Sequence, residues 1–431
     1  MKPLATRLAL LAGAALIAAP SVASAAWTRT YAVEWYEPAM YYGAKTGVID
    51  AGTDCPAGTN PEVDWVSVLV KAGYTPEEAK WLRNPANPTR SPVHGQNQMA
   101  FRGQDRANVY IHPETTPDTG LAGVSGKIAE GIDLDGNPKT GFTSPTGEKG
   151  IDNVFYKTLG CWKTYRGPPR KSSGALQFND AMREGGWTVL VVVNGAGDDP
   201  QNDNDVTVGL YMSPDKLVKD GNGDVAADYT YRIKPDARYE AILKGKVKAG
   251  RITTETAPEI WIRDPSYSRD LQLLRAKADF TMLPDGKLKG YLGGYRPWEP
   301  VYKGWVGARG PVIESLTWVR LPDVWYALKR NADFSPTGPD GPKTHISFAM
   351  RVEAVPAYVS DPAGKALVAQ VQSYKAMAKD APAGAYAGAT PSFRVVDGIV
   401  VTRGQAAVSQ TPEQLRPPAE PTRTASAGGG Q

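Results

Sequence analysis

Residues 274–295, LRAKADFTMLPDGKLKGYLGGY, decide the fold class. Leu274, Ala276, Ala278, Phe280 and Met282 alternate with Arg275, Lys277, Asp279 and Thr281. A period of two puts one set on a core face and the other toward water, which is a strand. A second run, 288–295, follows, and Asp285-Gly286 between them supplies the tight turn of a β-hairpin. Runs of similar character recur at 109–112, 187–193, 206–212, 229–233, 239–247, 259–263, 312–319 and 344–352, many of them alternating or rich in β-branched and aromatic residues. Short strands parted by Gly, Pro and Asp loops, with few helices between them, predict a mainly β protein. Its core is expected to be an antiparallel, β-sandwich-like domain over residues 101–355.

On either side of that core the pattern changes. Residues 26–100 read as an N-terminal extended and helical segment. Within it 61–83 form two helical pieces, the first with Val63, Val66, Leu69 and Val70 on one stripe. The second has Thr75 as its N-cap and Pro76 at the first helical position. Residues 356–404 carry one C-terminal helix, over 364–379, and a small hairpin of 393–396 and 399–402 around Asp397-Gly398. From Gln405 the composition turns to Pro, Ala, Gly, Ser and Thr, which predicts a disordered tail over 405–431.

Residues 1–25 have the form of a signal peptide. Lys2 and Arg7 precede an apolar run over 8–19, and Ala23-Ser24-Ala25 is a small-residue cleavage pattern. The apolar run is short for an anchor, and no later stretch is long and apolar enough to span a bilayer. The expectation is a periplasmic or secreted protein with no membrane span. Removing Lys2 and Arg7 lowers the formal charge from +4 to +2. A chain so near neutrality, with scattered Lys and Arg, lacks the basic footprint of a nucleic-acid partner. Cys55 and Cys161 are its two cysteines, and in an oxidising compartment they are expected to form a disulfide.

The most informative loop chemically is 131–153, GIDLDGNPKTGFTSPTGEKGIDN. Asp133, Asp135 and Asn137 place oxygen ligands at alternate positions, and Asp152 and Asn153 add two more after a Gly- and Pro-rich excursion. With no His or Cys among them, these five suit a hard cation such as Ca2+. The loop is not an EF-hand, because Pro138 and Ser144 stand where that pattern requires Gly and Glu. DLDGNPKTG, residues 133–141, resembles the calcium loops of some β-sandwich carbohydrate-binding modules. The chain as a whole is similar to uncharacterised exported proteins of proteobacteria, a resemblance that implies no activity. Two further acidic loops, 198–205 and 220–224, are candidates for additional cations or for plain polar turns.

Aromatic residues with Arg form the second constellation. Trp162 and Arg166 lie in CWKTYRGPPR, and Tyr295, Trp298 and Trp305 in YLGGYRPWEPVYKGW. Such side chains can stack on sugar rings or fill a core, and their exposure decides between the two. Signals for catalysis are sparse. There is no GxSxG elbow, the histidines are His94, His112 and His345, and Glu299 with Glu314 is one conceivable carboxylate pair. The sequence therefore points to an exported, calcium-stabilised, β-rich protein that binds a saccharide or polymer without chemistry. The alternative is a hydrolase or lyase on an extracellular polymer, using His94, His345 or a carboxylate pair.

Overall fold

The computed structural model describes residues 27–43, 55, 63–71, 73–83, 100–185, 188–263, 270–307, 313–314, 319–360, 393–396 and 399–402. Its strands are β1 (Trp27–Pro38), β2 (Phe142–Thr143), β3 (Lys149–Ile151), β4 (Thr188–Gly195), β5 (Asn202–Ser213), β6 (Tyr229–Arg232), β7 (Ala241–Lys248), β8 (Arg251–Thr254), β9 (Ala257–Arg263), β10 (Asp270–Met282), β11 (Leu288–Pro297) and β12 (His345–Ser360). The helices are α1 (Trp65–Lys71), α2 (Pro76–Arg83), α3 (Val154–Leu159), α4 (Ser173–Arg183), α5 (Trp298–Gly307) and α6 (Leu321–Asn331).

The 274–295 hairpin forms as its sequence predicts. Met282 pairs with Leu288, and the Leu283 N–H donates to Lys287 O at 2.8 Å across the turn. Gly286 takes the positive φ (84°) that the turn needs. Hydrogen-bonded neighbours then run β1-β4-β5-β7-β8-β10-β11-β12, every pair antiparallel, and β12 returns to β1. The sandwich-like expectation is thereby corrected: the sheet closes on itself as an eight-stranded antiparallel barrel. The reason is that β1 uses both of its edges. Trp27–Ala32 pair with β4 while Tyr31–Pro38 pair with β12, so no edge is left to open into a second sheet. Irregularities at Val33/Trp35, Asp203/Val206 and Leu274/Lys277 add the local coiling that closure requires. β9 lies beside β8 along the same edge of β10, and β6 extends the end of β12 in parallel.

Side chains fill the barrel. Val33, Val191, Leu210, Phe280, Leu292 and Met350 are among those converging inside, around a void of about 10 Å³. That is too small for a ligand, so this barrel is a core and not a cup. Along β7, Leu243 and Val247 point in while Lys244, Lys246 and Lys248 are exposed. Outward charge with inward aliphatics is the reverse of a lipid-facing barrel. The other flank is covered: α4 packs on β1 and α3 on β12, so most of β1, β4 and β12 is buried on both faces. This explains why β4, through Val189–Val193, reads as a continuous apolar run rather than an alternating one.

Two expected strands are absent. Residues 109–112 form a turn, because Asn108 O accepts the N–H groups of Ile111 and His112 while the Asn108 side chain accepts that of Tyr110 at 3.0 Å. Of the expected 312–319 strand, Ile313 and Glu314 are helical and Val319 lies in a bend. The second helical piece starts as expected. Thr75 Oγ1 accepts the Glu78 N–H at 3.2 Å and Glu78 returns the contact to the Thr75 N–H at 2.7 Å, a capping box. The terminal hairpin pairs Phe393–Val396 with Ile399–Thr402. The signal peptide, the 364–379 helix, the 405–431 tail and His94 lie outside the described residues. Cys55 and Cys161 form a disulfide. Among the described residues no helix is long and apolar enough to cross a membrane.

Candidate metal centre

The acidic loop is pinned at its ends. Asp152 N–H donates to Ile132 O at 3.0 Å in a short antiparallel bridge, and β2 pairs with β3 inside the excursion. That bridge puts the Asp152 carboxylate beneath the start of the loop, where its Oδ2 accepts the N–H groups of Leu134 (2.8 Å) and Asp135 (3.2 Å). Gly150 lets the return strand pass close by. A Cβ there would stand 3.0 Å from Asp133 Oδ2 and 3.1 Å from Asn137 O, at a φ of +88°. The loop docks on the outside of β10 and β11, with Ile132 and Leu134 packed against Tyr295. An irregularity in β10 after Leu274 accompanies Lys277, whose Nζ donates to Asp133 O at 2.8 Å.

One carboxylate oxygen from each of Asp133, Asp135 and Asp152 lies within 4.8 Å of the others, and this is the one such convergence of acidic, His or Cys groups among the described residues. Two oxygens bound to one Ca2+ at 2.3–2.6 Å can stand at most about 5 Å apart, so the spacing fits a shared cation. Burial, and then the charges of Asp135 and Asp133, push the Asp152 carboxyl up to about 6 against the pull of its two amide donors. Such a group gains most from a cation that favours its ionised form.

The amide oxygens of Asn137 and Asn153 each accept a backbone N–H. Asn137 Oδ1 accepts the Lys139 N–H at 3.1 Å. Asn153 is the N-cap of α3: its Oδ1 accepts the Tyr156 N–H at 3.1 Å, and its Nδ2 donates to Ala39 O and Glu130 O. Asp333 and Tyr295 are neighbours that sequence reasoning did not connect to the loop. Burial and the charges of Asp152, Asp333 and Asp135 all raise the Tyr295 hydroxyl. No local pattern marks Asp333, because only the packing of the segment before β12 against β11 brings it there.

The aromatic constellation is core. Trp162 stacks on Tyr165 with ring centroids 5.7 Å apart and meets Trp305 at 5.3 Å. Tyr295 stacks on Phe334 at 4.0 Å, and Trp298 meets Trp325 edge-on at 6.0 Å. Arg166 is buried with its guanidinium over Tyr42. Trp162 is 2 % and Trp298 9 % exposed, so neither offers an open face for a sugar ring.

The other acidic loops are turns. Asp203 accepts from Trp27 Nε1 and from the N–H groups of Gly197 and Asp205. Asp220 Oδ1 accepts those of Asn222 and Asp224. Glu314 is fully buried against Arg102 (2.6 Å) and Tyr110, whereas Glu299 is exposed and pairs with Lys303. His345 is buried beside Thr344, which lowers its basicity, and His112 meets Glu114 on the surface.

A cleft of about 320 Å³ adjoins the acidic loop, and Arg251 bridges its walls by bonding Glu148 of the loop and Asp279 of β10, each at 2.5 Å. No protein-family model, curated protein or solved structure matches the chain.

Proposed function

We propose that this is an exported, calcium-braced β-barrel protein that binds a saccharide or polymer ligand without transforming it. The convergence of Asp133, Asp135 and Asp152 carries the cation part of that reading. The bound ion would link the two ends of the 131–153 loop and hold the loop against β10 and β11. The disulfide supports export, since such bonds persist in oxidising compartments. The filled barrel and the buried aromatics direct the ligand to surface clefts.

Cation binding to the native state alone stabilises it by mass action, by about 2.7 kcal/mol at a hundredfold excess over Kd. Thermal melts with Ca2+ and with EDTA test this. The melting temperature is expected to rise with Ca2+ in the wild type and to stay fixed in Asp135→Ala. Identical wild-type melts in both conditions would rule the cation out.

A further inference from the structure

We propose that a second, larger cleft, which shares no lining residue with the one beside the acidic loop, is a binding site for a carboxylate-bearing ligand, with sugar acids as the favoured class. It encloses about 840 Å³ between α1, residues 101–106, residues 115–121 and the start of α6. That volume lies in the range of small-molecule sites. Phe101, Leu121 and Val319 give it apolar wall, and threonines 115, 116 and 119 give it hydroxyls. This inference rests on the reading of the chain as a binding protein and is independent of the cation.

Charge selects the ligand class. Four cationic side chains, Lys71, Arg102, Arg106 and Arg320, line the cleft against two carboxylates, Asp105 and Asp323. Asp323 is committed to Thr119, accepting its N–H at 3.1 Å and its hydroxyl. Arg102 is committed to Glu314 behind the wall. Arg320 has no carboxylate partner among the described residues. Its one side-chain bond goes to the neutral Thr116 hydroxyl, and its Nε is buried with no acceptor. Lys71, exposed at the end of α1, makes no close ion pair among the described residues and feels only the more distant charge of Asp64. With no carboxylate among the described residues to neutralise it, the Arg320 guanidinium can take a ligand carboxylate on its outer nitrogens.

The lip of the cleft is shaped in advance. Asp105 and Arg106 are consecutive non-glycine residues in the left-handed region, with φ of 53° and 60°. Such residues persist only where their surroundings enforce them. A Cβ on Gly103 would lie 2.4 Å from Thr115 Oγ1, so the 101–106 turn is seated directly on the 115–121 strap.

Calorimetric titration of the full chain with digalacturonate, decanoate and cellobiose, each in EDTA and in Ca2+, tests the proposal. At least one carboxylate is expected to bind in both media, with cellobiose at least tenfold weaker. Arg320→Gln and Lys71→Gln are each expected to weaken carboxylate binding about tenfold, the loss of one charged contact. Tighter binding of digalacturonate supports the sugar-acid class, whereas tighter binding of decanoate keeps the carboxylate site and replaces the class with apolar acids. The proposal is overturned if neither carboxylate binds, if cellobiose binds equally well, or if the surface variant Lys71→Gln binds as tightly as wild type. Cellobiose binding alone would leave the binding function standing while removing the charge argument. Binding that survives in EDTA beside a flat Ca2+ melt would remove only the cation.

Discussion

At the scale of residues, Asp152 is the informative titrating group. Its folded carboxyl is raised to about 6, mainly by burial, from an ordinary value of 3.8. The folded state therefore holds a proton that the unfolded chain has released, and stability falls as pH rises from about 4 to about 6. In EDTA the melting temperature is expected to drop across that window, and Asp152→Asn is expected to flatten the drop. Ca2+ should oppose it, because the ion favours the ionised carboxylate. A pH-independent wild-type melt between those values would contradict this assignment. Glu314 makes the matching case for a buried pair. Glu314→Gln leaves Arg102 without its countercharge and is expected to cost about 3–5 kcal/mol in urea denaturation. A loss below about 1 kcal/mol would show that the pair is dispensable. Asp133, Asp135 and Asp152 were legible in the sequence because their spacing and the glycines around them are local facts. Asn153 has a second role that its local pattern hides: it is the N-cap of α3, a helix too short to stand out in the sequence.

At the scale of elements, alternation and turn residues located most barrel strands to within a few residues, the β10–β11 hairpin best of all. They failed at 109–112, where an apolar tetrapeptide is wound into a turn by Asn108. The same hairpin offers a sharp packing test. A Cβ on Gly290 would stand 2.0 Å from Asp279 O on the neighbouring strand. Gly290→Ala must push the strands apart and is expected to cost at least about 2 kcal/mol in urea denaturation. A neutral result would mean that the two strands have slack. The helices over β1 and β12 were hard to read because they are short and buried, and their apolar residues merge with neighbouring runs. α2 carried the fullest punctuation, a capping box of Thr75 and Glu78 with Pro76 at the first helical position.

At the scale of the molecule, one covalent link joins the N-terminal region to the segment that follows the acidic loop and α3. Cys55 and Cys161 are separated by 106 positions, a loop whose closure is worth up to about 4–5 kcal/mol in the chain-entropy model. Cys55→Ser with Cys161→Ser is expected to lower the melting temperature, and a reductant should do the same to wild type alone. An unchanged melt would show that the link is energetically idle. The sequence by itself determined that this chain is β-rich, where most of its strands run, that Cys55 and Cys161 are suited to pair, and that Asp133, Asp135, Asn137, Asp152 and Asn153 share one glycine-rich loop. The strands and the loop follow from periodicity, turn chemistry and short-range spacing, properties of neighbouring residues, and the cysteine pair follows from a count of two in a chain that reads as exported. Only the tertiary structure decided that β1 and β12, from opposite ends of the main fold, complete one ring instead of leaving two sheets, and that the tryptophans face inward. Edge-to-edge pairing and burial depend on which distant surfaces find each other, and no window of local sequence contains that information.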